Sequence, residues 1–426
     1  MAWAESTGYK TTPWRARYKR PDGTIGSKGG FTSEKAAKDF GEEQEALIRL
    51  KKWIDPRGSA MPFLDWAWEM FESSKKRLAL TTQAKYRLYI KVHFTEYWED
   101  YTLGELDRNY LAVQKWASEL YSEYSDSTAD SLVAYFSSLL GVAEFVQIIA
   151  VNPCRHIKRG ADYQAEHAIA SPEQAIQGVL RVYDRAGPVL ATLAVTGFYS
   201  GARWGELVGQ LRKEYDAAAW TLHLTAPLQE VNGHLFKKGV SADQAPALPA
   251  KRLSKQAKRN PKDRKKAKGR AKTPAGERPV TLPEPIGLSV NRLLTLHEEP
   301  YLFVSARGRP LRRSNFNRRI WTPAWNGVDP DEPDSPNHIP AVIPWFTFHE
   351  CRHTHETWLT EDGIPEVARR ARLGQKMHGM GAIYTHVTAA MEEMILTALL
   401  ARWERGLASL TRSELITYRE AFPHLA

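Results

Sequence analysis

His349-Glu350-Cys351-Arg352-His353-Thr354-His355 decides how this chain is read. Two readings compete for it. His349-Glu-x-x-His353 fits the H-E-x-x-H pattern of zinc proteases, in which two histidines one helical turn apart hold the metal and the glutamate is the base. That site needs a further ligand. The longer pattern, with glycine and a third histidine, does not follow: Glu356 and Trp358 stand where part of it would be, and Glu361 or Glu366 are the available proposals. The second reading pairs His349 with Arg352 at i and i+3, on one face if the segment is helical. A proton-handling imidazole then stands beside a planar cation that stays charged and binds oxyanions through two parallel bonds.

Two other segments extend the second reading. Gly201-Ala202-Arg203-Trp204-Gly205-Glu206-Leu207 puts an arginine directly after a turn expected over Thr196-Gly197 to Gly201. Leu373-Gly374-Gln375 is followed by Ile383-Tyr384-Thr385-His386-Val387. Phosphodiester cleavage needs a nucleophile, donors for the non-bridging oxygens and an acid for the leaving oxygen. Arginines suit the oxygens, and a tyrosine can be a covalent nucleophile. Taken singly, Tyr384 reads as a packing residue, Arg203 as an ion-pair partner of Glu206, and His349 as a core histidine.

The charge distribution points to a polyanion partner. The chain has 426 residues, with 59 Lys and Arg against 49 Asp and Glu, a net charge of +10. Thirteen basic residues fall between Lys251 and Arg278, among them Lys265, Lys266, Lys268 and Lys272, against Asp263 and Glu277 alone. Without that block the chain is close to neutral. A concentrated positive run suits nucleic acid, although a solvated loop has the same composition. Smaller basic groups lie at Arg15-Ala-Arg17-Tyr-Lys19, at Arg312-Arg313 and at Arg318-Arg319.

Length alone suggests two to four domains. Apolar residues make up 42% and charged residues 25%, which excludes a wholly disordered or collagenous chain. Cys154 and Cys351, the only cysteines, cannot build a disulfide framework and suit a reducing compartment. The N-terminus lacks a signal-peptide pattern, and the most apolar run, 139–151, is too short and too polar to span a bilayer. A cytoplasmic chain with no membrane association is expected.

Trp14, Ala16 and Tyr18 alternate with Arg15, Arg17 and Lys19, the period of a strand; Pro21-Asp22-Gly23 is a turn, and Thr24-Ile25 begins a return strand. Thr32 or Ser33 caps a helix running to about Leu50. Residues 51–60 read as a linker. From 61 to about 150 the pattern is helical, with Tyr86, Ile90, Phe94 and Tyr97 on one stripe, and Asn152-Pro153 ends it. A second linker, about 156–170, precedes helices over 173–209, strands near 219–225, 233–237 and 278–282, and helices again from about 290.

The blocks around Arg203, His349/Arg352 and Tyr384, in that order, resemble the tyrosine recombinase (phage integrase) family, in the style of actinobacterial phages and integrative elements. Tyr301-Leu-Phe-Val-Ser-Ala-Arg-Gly-Arg-Pro-Leu-Arg-Arg-Ser-Asn-Phe316 is similar to the family's segment before the His-x-x-Arg box. The resemblance is strong over about 170–395 and weaker over 61–155. It implies a mainly α, multidomain fold: a small β-sheet-plus-helix arm-type DNA-binding domain (1–52), a helical, SAM-like core-binding bundle (60–156), an α+β catalytic domain (170–400) with a basic insert (240–271), and a C-terminal helical tail (401–426).

The resemblance also implies roles. Tyr384 would attack to form a 3′-phosphotyrosyl bond, Arg203 and Arg352 would hold the non-bridging oxygens, and His349 would share proton transfer. Lys272, on the second strand of a β-hairpin whose first strand is Leu235–Lys238, would protonate the leaving oxygen; Lys268 or Lys238 could take that role. Gln375 stands where the family has His or Trp, so its amide donates a hydrogen bond but carries no charge. Arg15, Arg17, Lys19, Lys265, Lys266, Arg312 and Arg313 would contact DNA. The implied function is site-specific recombination that integrates or excises a mobile element, with no metal and no other cofactor. The partners would be duplex DNA at attachment sites, a homotetramer on that DNA, and an excisionase or a host DNA-bending factor; the place would be the nucleoid of a bacterial host. The alternatives are a DNA-binding protein of the same fold with weakened or lost catalysis, and an H-E-x-x-H zinc hydrolase.

Overall fold

A computed structural model describes residues 2–50, 53–157, 167–231, 233–237, 277–329, 334–376 and 387–425. The chain divides into two compact units, Met1–Gln164 and Ala165–Ala426. Among the described residues no helix is long and apolar enough to cross a membrane.

The first unit opens with an antiparallel sheet, β1 (Trp3–Ser6), β2 (Trp14–Lys19) and β3 (Ile25–Phe31), in that order. The period of two in β2 turns Ala16 and Tyr18 inward, and Tyr18 packs with Ala2, Phe40 and Trp53. Arg15 and Arg17 face the other way and meet Glu5 of β1, Arg17 at 2.6 Å and Arg15 at 3.8 Å. At four residues, β1 is too short for an alternation to be read from sequence. Helix α1 (Glu34–Arg49) is capped by Ser33, whose Oγ accepts from the Ala36 amide at 3.2 Å. The expected linker 51–60 is partly docked. Trp53 is buried with its indole N–H on Gln44, and Asp55 caps a single helical turn, Pro56–Ser59.

A helical bundle follows: α2 (Phe63–Ser74), α3 (Leu80–Leu88), α4 (Tyr110–Glu123) and α5 (Asp126–Phe145). Phe63, Phe94, Trp98, Trp116 and Phe136 interlock at its centre, with Phe63–Phe136 and Trp116–Phe136 centroids 4.9 and 4.8 Å apart. The expected stripe ends differently. A π-helical segment, Tyr89–Phe94, follows α3, and its wider turn rotates the face, so Trp98 is fully buried and Tyr97 only partly. Asn152 ends the bundle by accepting from the Cys154 amide and donating to the Ser137 carbonyl.

The second unit is built on α6 (Pro172–Ala186) and α7 (Pro188–Ser200), the latter buried from Leu190 to Ser200. The turn expected at Thr196-Gly197 is therefore helix, and the chain turns only at Gly201. Gly197 serves packing, because a Cβ there would lie 2.9 Å from the Phe348 ring. Helix α8 (Trp204–Val208) leads into a sheet ordered β4 (Tyr215–Asp216), β5 (Thr221–Leu224), β8 (Arg278–Thr281), and a separate pair, β6 (Gln229–Val231) with β7 (His234–Phe236).

This pairing corrects the expected hairpin. Segment 234–236 pairs back onto 229–231, while 278–281 pairs with 221–224. Lys237 is no strand residue: its ammonium is buried against the Glu214 carboxylate at 2.6 Å and the Gly209 carbonyl. Helix α9 (Glu284–Leu296) begins earlier than expected. Then come α10 (Glu350–Glu361), α11 (Glu366–Leu373), α12 (Ala389–Ala408) and α13 (Arg412–Ala421). Helix α12 runs through the expected boundary at 400, and Tyr418 and Phe422 pack on Trp403, so the tail belongs to the core of this unit.

Candidate active site

Two helix ends converge on one buried guanidinium. Helix α7 ends at Gly201, whose φ of 62° is left-handed. Helix α11 ends at Leu373, followed by Gly374 at φ 64°. A helix that closes on a left-handed glycine leaves carbonyls at its end that seek donors. Arg352 supplies them: its guanidinium donates to Gly201 O at 2.8 Å and to Leu373 O at 2.7 Å. Two of five donors are engaged there, and the partial negative charge of the helix ends favours the cation. Gly201 has a second reason to lack a side chain: a Cβ would lie 2.6 Å from His355 and 2.8 Å from Leu373.

Arg203 stands two residues beyond that turn, at the N-cap of α8. Glu206 holds it twice, taking the Arg203 amide on Oε2 and the guanidinium on Oε1, both at 2.9 Å. Oε2 also accepts from Arg278 of β8 at 3.2 Å. Burial raises the proton affinity of Glu206, but Arg278 and Arg203 outweigh it and hold the carboxyl below its ordinary range. Thus one buried carboxylate aligns two arginines from different elements, and the Arg203 side chain keeps 44% of its surface exposed.

His349 lies at the N-cap of α10, not inside the helix, and its carbonyl receives the Arg352 amide at 3.0 Å. Burial pushes its imidazole down to about 4, with His353, Arg352, Arg313 and Arg203 adding repulsion. The ring is therefore neutral at pH 7, able to accept or donate a proton. His353 meets it edge-on at 4.9 Å and stacks on His167 at 3.8 Å. Glu350, the base of the zinc reading, is occupied as a helix cap, accepting from the Thr347 amide. Among the described residues no group of three or more His, Cys, Asp or Glu could hold a metal ion.

The cations outnumber the anions here. Burial lowers Arg352 to about 10, with repulsion from Arg203 and Arg278, and Arg372 to about 9, with repulsion from Arg278. Arg278, Arg352 and Arg372 remain charged at neutral pH, and with Arg203 they surround one buried carboxylate among the described residues, Glu206. Such a cluster is stable only beside an anion or many neutral acceptors. Gln375 sits at its edge, its amide 3.5 Å from Glu356.

The structure thus brings Arg203, His349 and Arg352 together, with Gln375 beside them. Tyr384, Lys272, Lys265, Lys266, Lys268 and Lys238 lie outside the described residues. Arg312 is engaged by Glu230 and the Gly233 carbonyl, whereas the charge of Arg313 adds to the repulsion on His349. Arg15 and Arg17 share Glu5, and Lys19 is exposed. Arg278, Arg372 and His355, which no sequence motif singles out, also join this cluster. Arg372 directly before Leu373-Gly374 and Arg278 opening an apolar strand were the available signals.

Residues 262–391 match the model of the phage integrase family. A probable integrase of prophage ps2 from Lactococcus lactis subsp. lactis (strain IL1403) is 33% identical over 114 residues, 26% of this chain and 27% of that protein. The chain thus spans about a quarter of the length of that relative. The Tn1549 transposon integrase, solved with a circular intermediate DNA, superposes with a TM-score of 0.57 at 15% identity, over 81% of this chain and 99% of that one. A lambda integrase dimer on a COC′ core site gives 0.50 at 14% identity, over 91% and 97%. At these identities the structural likeness is one of fold. The match over 262–391 identifies a phage integrase family domain in that stretch, and the mainly α fold agrees with it.

Proposed function

We propose that the chain is a site-specific DNA recombinase that cuts and rejoins duplex DNA through a 3′-phosphotyrosyl intermediate, integrating or excising a mobile element. The observation that carries this reading is the convergence of Arg203, Arg352 and neutral His349 in an excess of fixed positive charge. A phosphodiester in that site has its two non-bridging oxygens met by planar forks. Fixed cations that need no reorganisation stabilise the added charge of a five-coordinate phosphorus.

The Tyr384 oxygen bonds to phosphorus as the bond to the 5′ oxygen breaks, and Lys272 gives that oxygen its proton. His349 takes the phenol proton, directly or through the phosphate. The 5′ hydroxyl of the partner strand reverses the step, so bond energy is kept in the phosphotyrosine and no nucleotide cofactor is consumed. Gln375 donates an uncharged hydrogen bond where the family carries His or Trp.

Residues 1–52 and 60–156 act as arm-type and core-type DNA-binding domains, and 170–400 as the catalytic domain. Arg15, Arg17, Lys19, Lys265, Lys266 and Arg313 meet phosphates; Arg312 does so only if it leaves Glu230. A tetramer on paired attachment sites, an excisionase or DNA-bending partner, and a nucleoid location complete the proposal. A nicked suicide substrate carrying the element's own attachment site tests it. The reading requires a covalent protein–DNA adduct in wild type and none in Tyr384→Phe, with DNA binding kept in both. Binding without an adduct in wild type leaves a DNA-binding protein of this fold.

A further inference from the structure

Arg372 is buried beside the cluster, yet the groups it bonds are all neutral. Its Nε donates to His355 Nε2 at 3.1 Å, and a second guanidinium nitrogen donates to Tyr199 O at 2.9 Å and to Thr281 O at 3.0 Å. One side chain therefore ties the end of α7, the end of β8 and the middle of α10. Its own carbonyl accepts from Arg278 Nε at 2.5 Å, and the next carbonyl along, Leu373 O, accepts from Arg352.

The bonds fix the state of His355. A guanidinium cannot accept, so Nε2 of His355 carries no proton. Nδ1 lies 2.8 Å from Phe198 O, which cannot donate, so the proton is on Nδ1. His355 is a neutral Nδ1–H tautomer, one turn along α10 from Arg352. Burial, and then Arg372, hold its proton affinity well below the ordinary value, in keeping with that assignment. Three neutral acceptors satisfy the donors of this buried cation without pairing its charge. Here the charge is left uncompensated by its bonding partners, next to the site that collects anions.

We propose that Arg372 is a positioning residue for Arg352. By bonding His355, Tyr199 and Thr281 at once, it fixes the Gly201 and Leu373 carbonyls that orient the Arg352 guanidinium toward the scissile phosphate. The proposal rests on the DNA-cleaving reading and adds a residue that itself touches no DNA.

The test compares wild type, Arg372→Gln, Arg372→Lys and His355→Gln in the full-length chain, on the suicide substrate, well below each variant's melting temperature. Single-turnover adduct formation is expected to fall about 100-fold in R372Q and about 10-fold in R372K and H355Q. DNA affinity and the slope of its salt dependence should stay at the wild-type value, because no phosphate contact is lost. Histidine ¹⁵N spectra should show His355 as the Nδ1–H tautomer between pH 5 and 8. Should R372Q fail to fold, R372K and H355Q carry the comparison.

Wild-type cleavage rates in R372K and H355Q overturn the proposal, as does a salt slope lower by about one, which marks a direct phosphate contact. An Nε2–H tautomer at His355 also overturns it. A wild-type chain that forms no adduct removes the recombinase reading and this proposal together. An active wild type with undiminished variants removes the proposal alone.

Discussion

The Arg352 guanidinium donates to the carbonyl oxygen of Leu373 at 2.7 Å, and this bond ties the helix of the His-x-x-Arg box to the end of the helix before Gly374. The same guanidinium holds Gly201 O. Three segments distant in sequence are thereby held in one geometry by one planar fork, which a lysine cannot reproduce.

Arg352→Lys should accordingly keep the charge and lose the geometry. Adduct formation in single turnover is expected to fall by roughly 10²–10³-fold, the scale for removing one preorganised donor. DNA affinity should change less than tenfold. Rapid-quench kinetics and filter binding measure the two.

Gly201→Ala tests the turn itself. The new methyl would meet His355 and Leu373 at under 3 Å, on a backbone with φ of 62°. Strain of this kind costs of order 1–3 kcal/mol. A urea titration should show lower stability by that amount, with cleavage reduced because the displaced carbonyl is an Arg352 acceptor.

The neutral histidines predict a pH dependence of stability. His349 is lowered to about 4 in the folded chain, chiefly by burial, against 6.5 for an ordinary histidine. Between those values the unfolded chain binds more protons, so stability rises with pH from about 4 to about 6.5 and then levels. His353 and His355, also lowered by burial, act in the same direction. Urea midpoints at pH 5 and pH 7 should differ in that sense, and His349→Gln should shrink the difference.

Much of this was legible in the sequence, for physical reasons that differ by element. The period of two in Trp14–Lys19 and the cap at Ser33 are local signals, and local geometry obeyed them. Thr196-Gly197 reads as a turn in sequence because glycine signals a turn and a close packing contact equally well; only the Phe348 ring, brought in by the fold, distinguishes them. The strand pairing of 278–281 with 221–224 was illegible because short strands carry no register information beyond their faces. Arg203, His349 and Arg352 were legible by residue type and order. Arg278, Arg372 and His355 were not, since their roles are bonds to backbone carbonyls and to Glu206 that exist only after folding.

Gln375→His examines the departure from the family pattern. Gln375 lies beside Glu356 at the rim of the arginine cluster. A histidine can donate the same hydrogen bond and also carry a proton. Cleavage of the suicide substrate should be kept or raised. A large loss would remove position 375 from the site.

The most direct measurement is peptide mapping of the covalent species formed on a suicide substrate with the cognate attachment site. The account predicts a wild-type adduct whose DNA is attached through its 3′ phosphate to the Tyr384 phenol, and no adduct in Tyr384→Phe. An adduct at another residue, or one that persists in Tyr384→Phe, would contradict it.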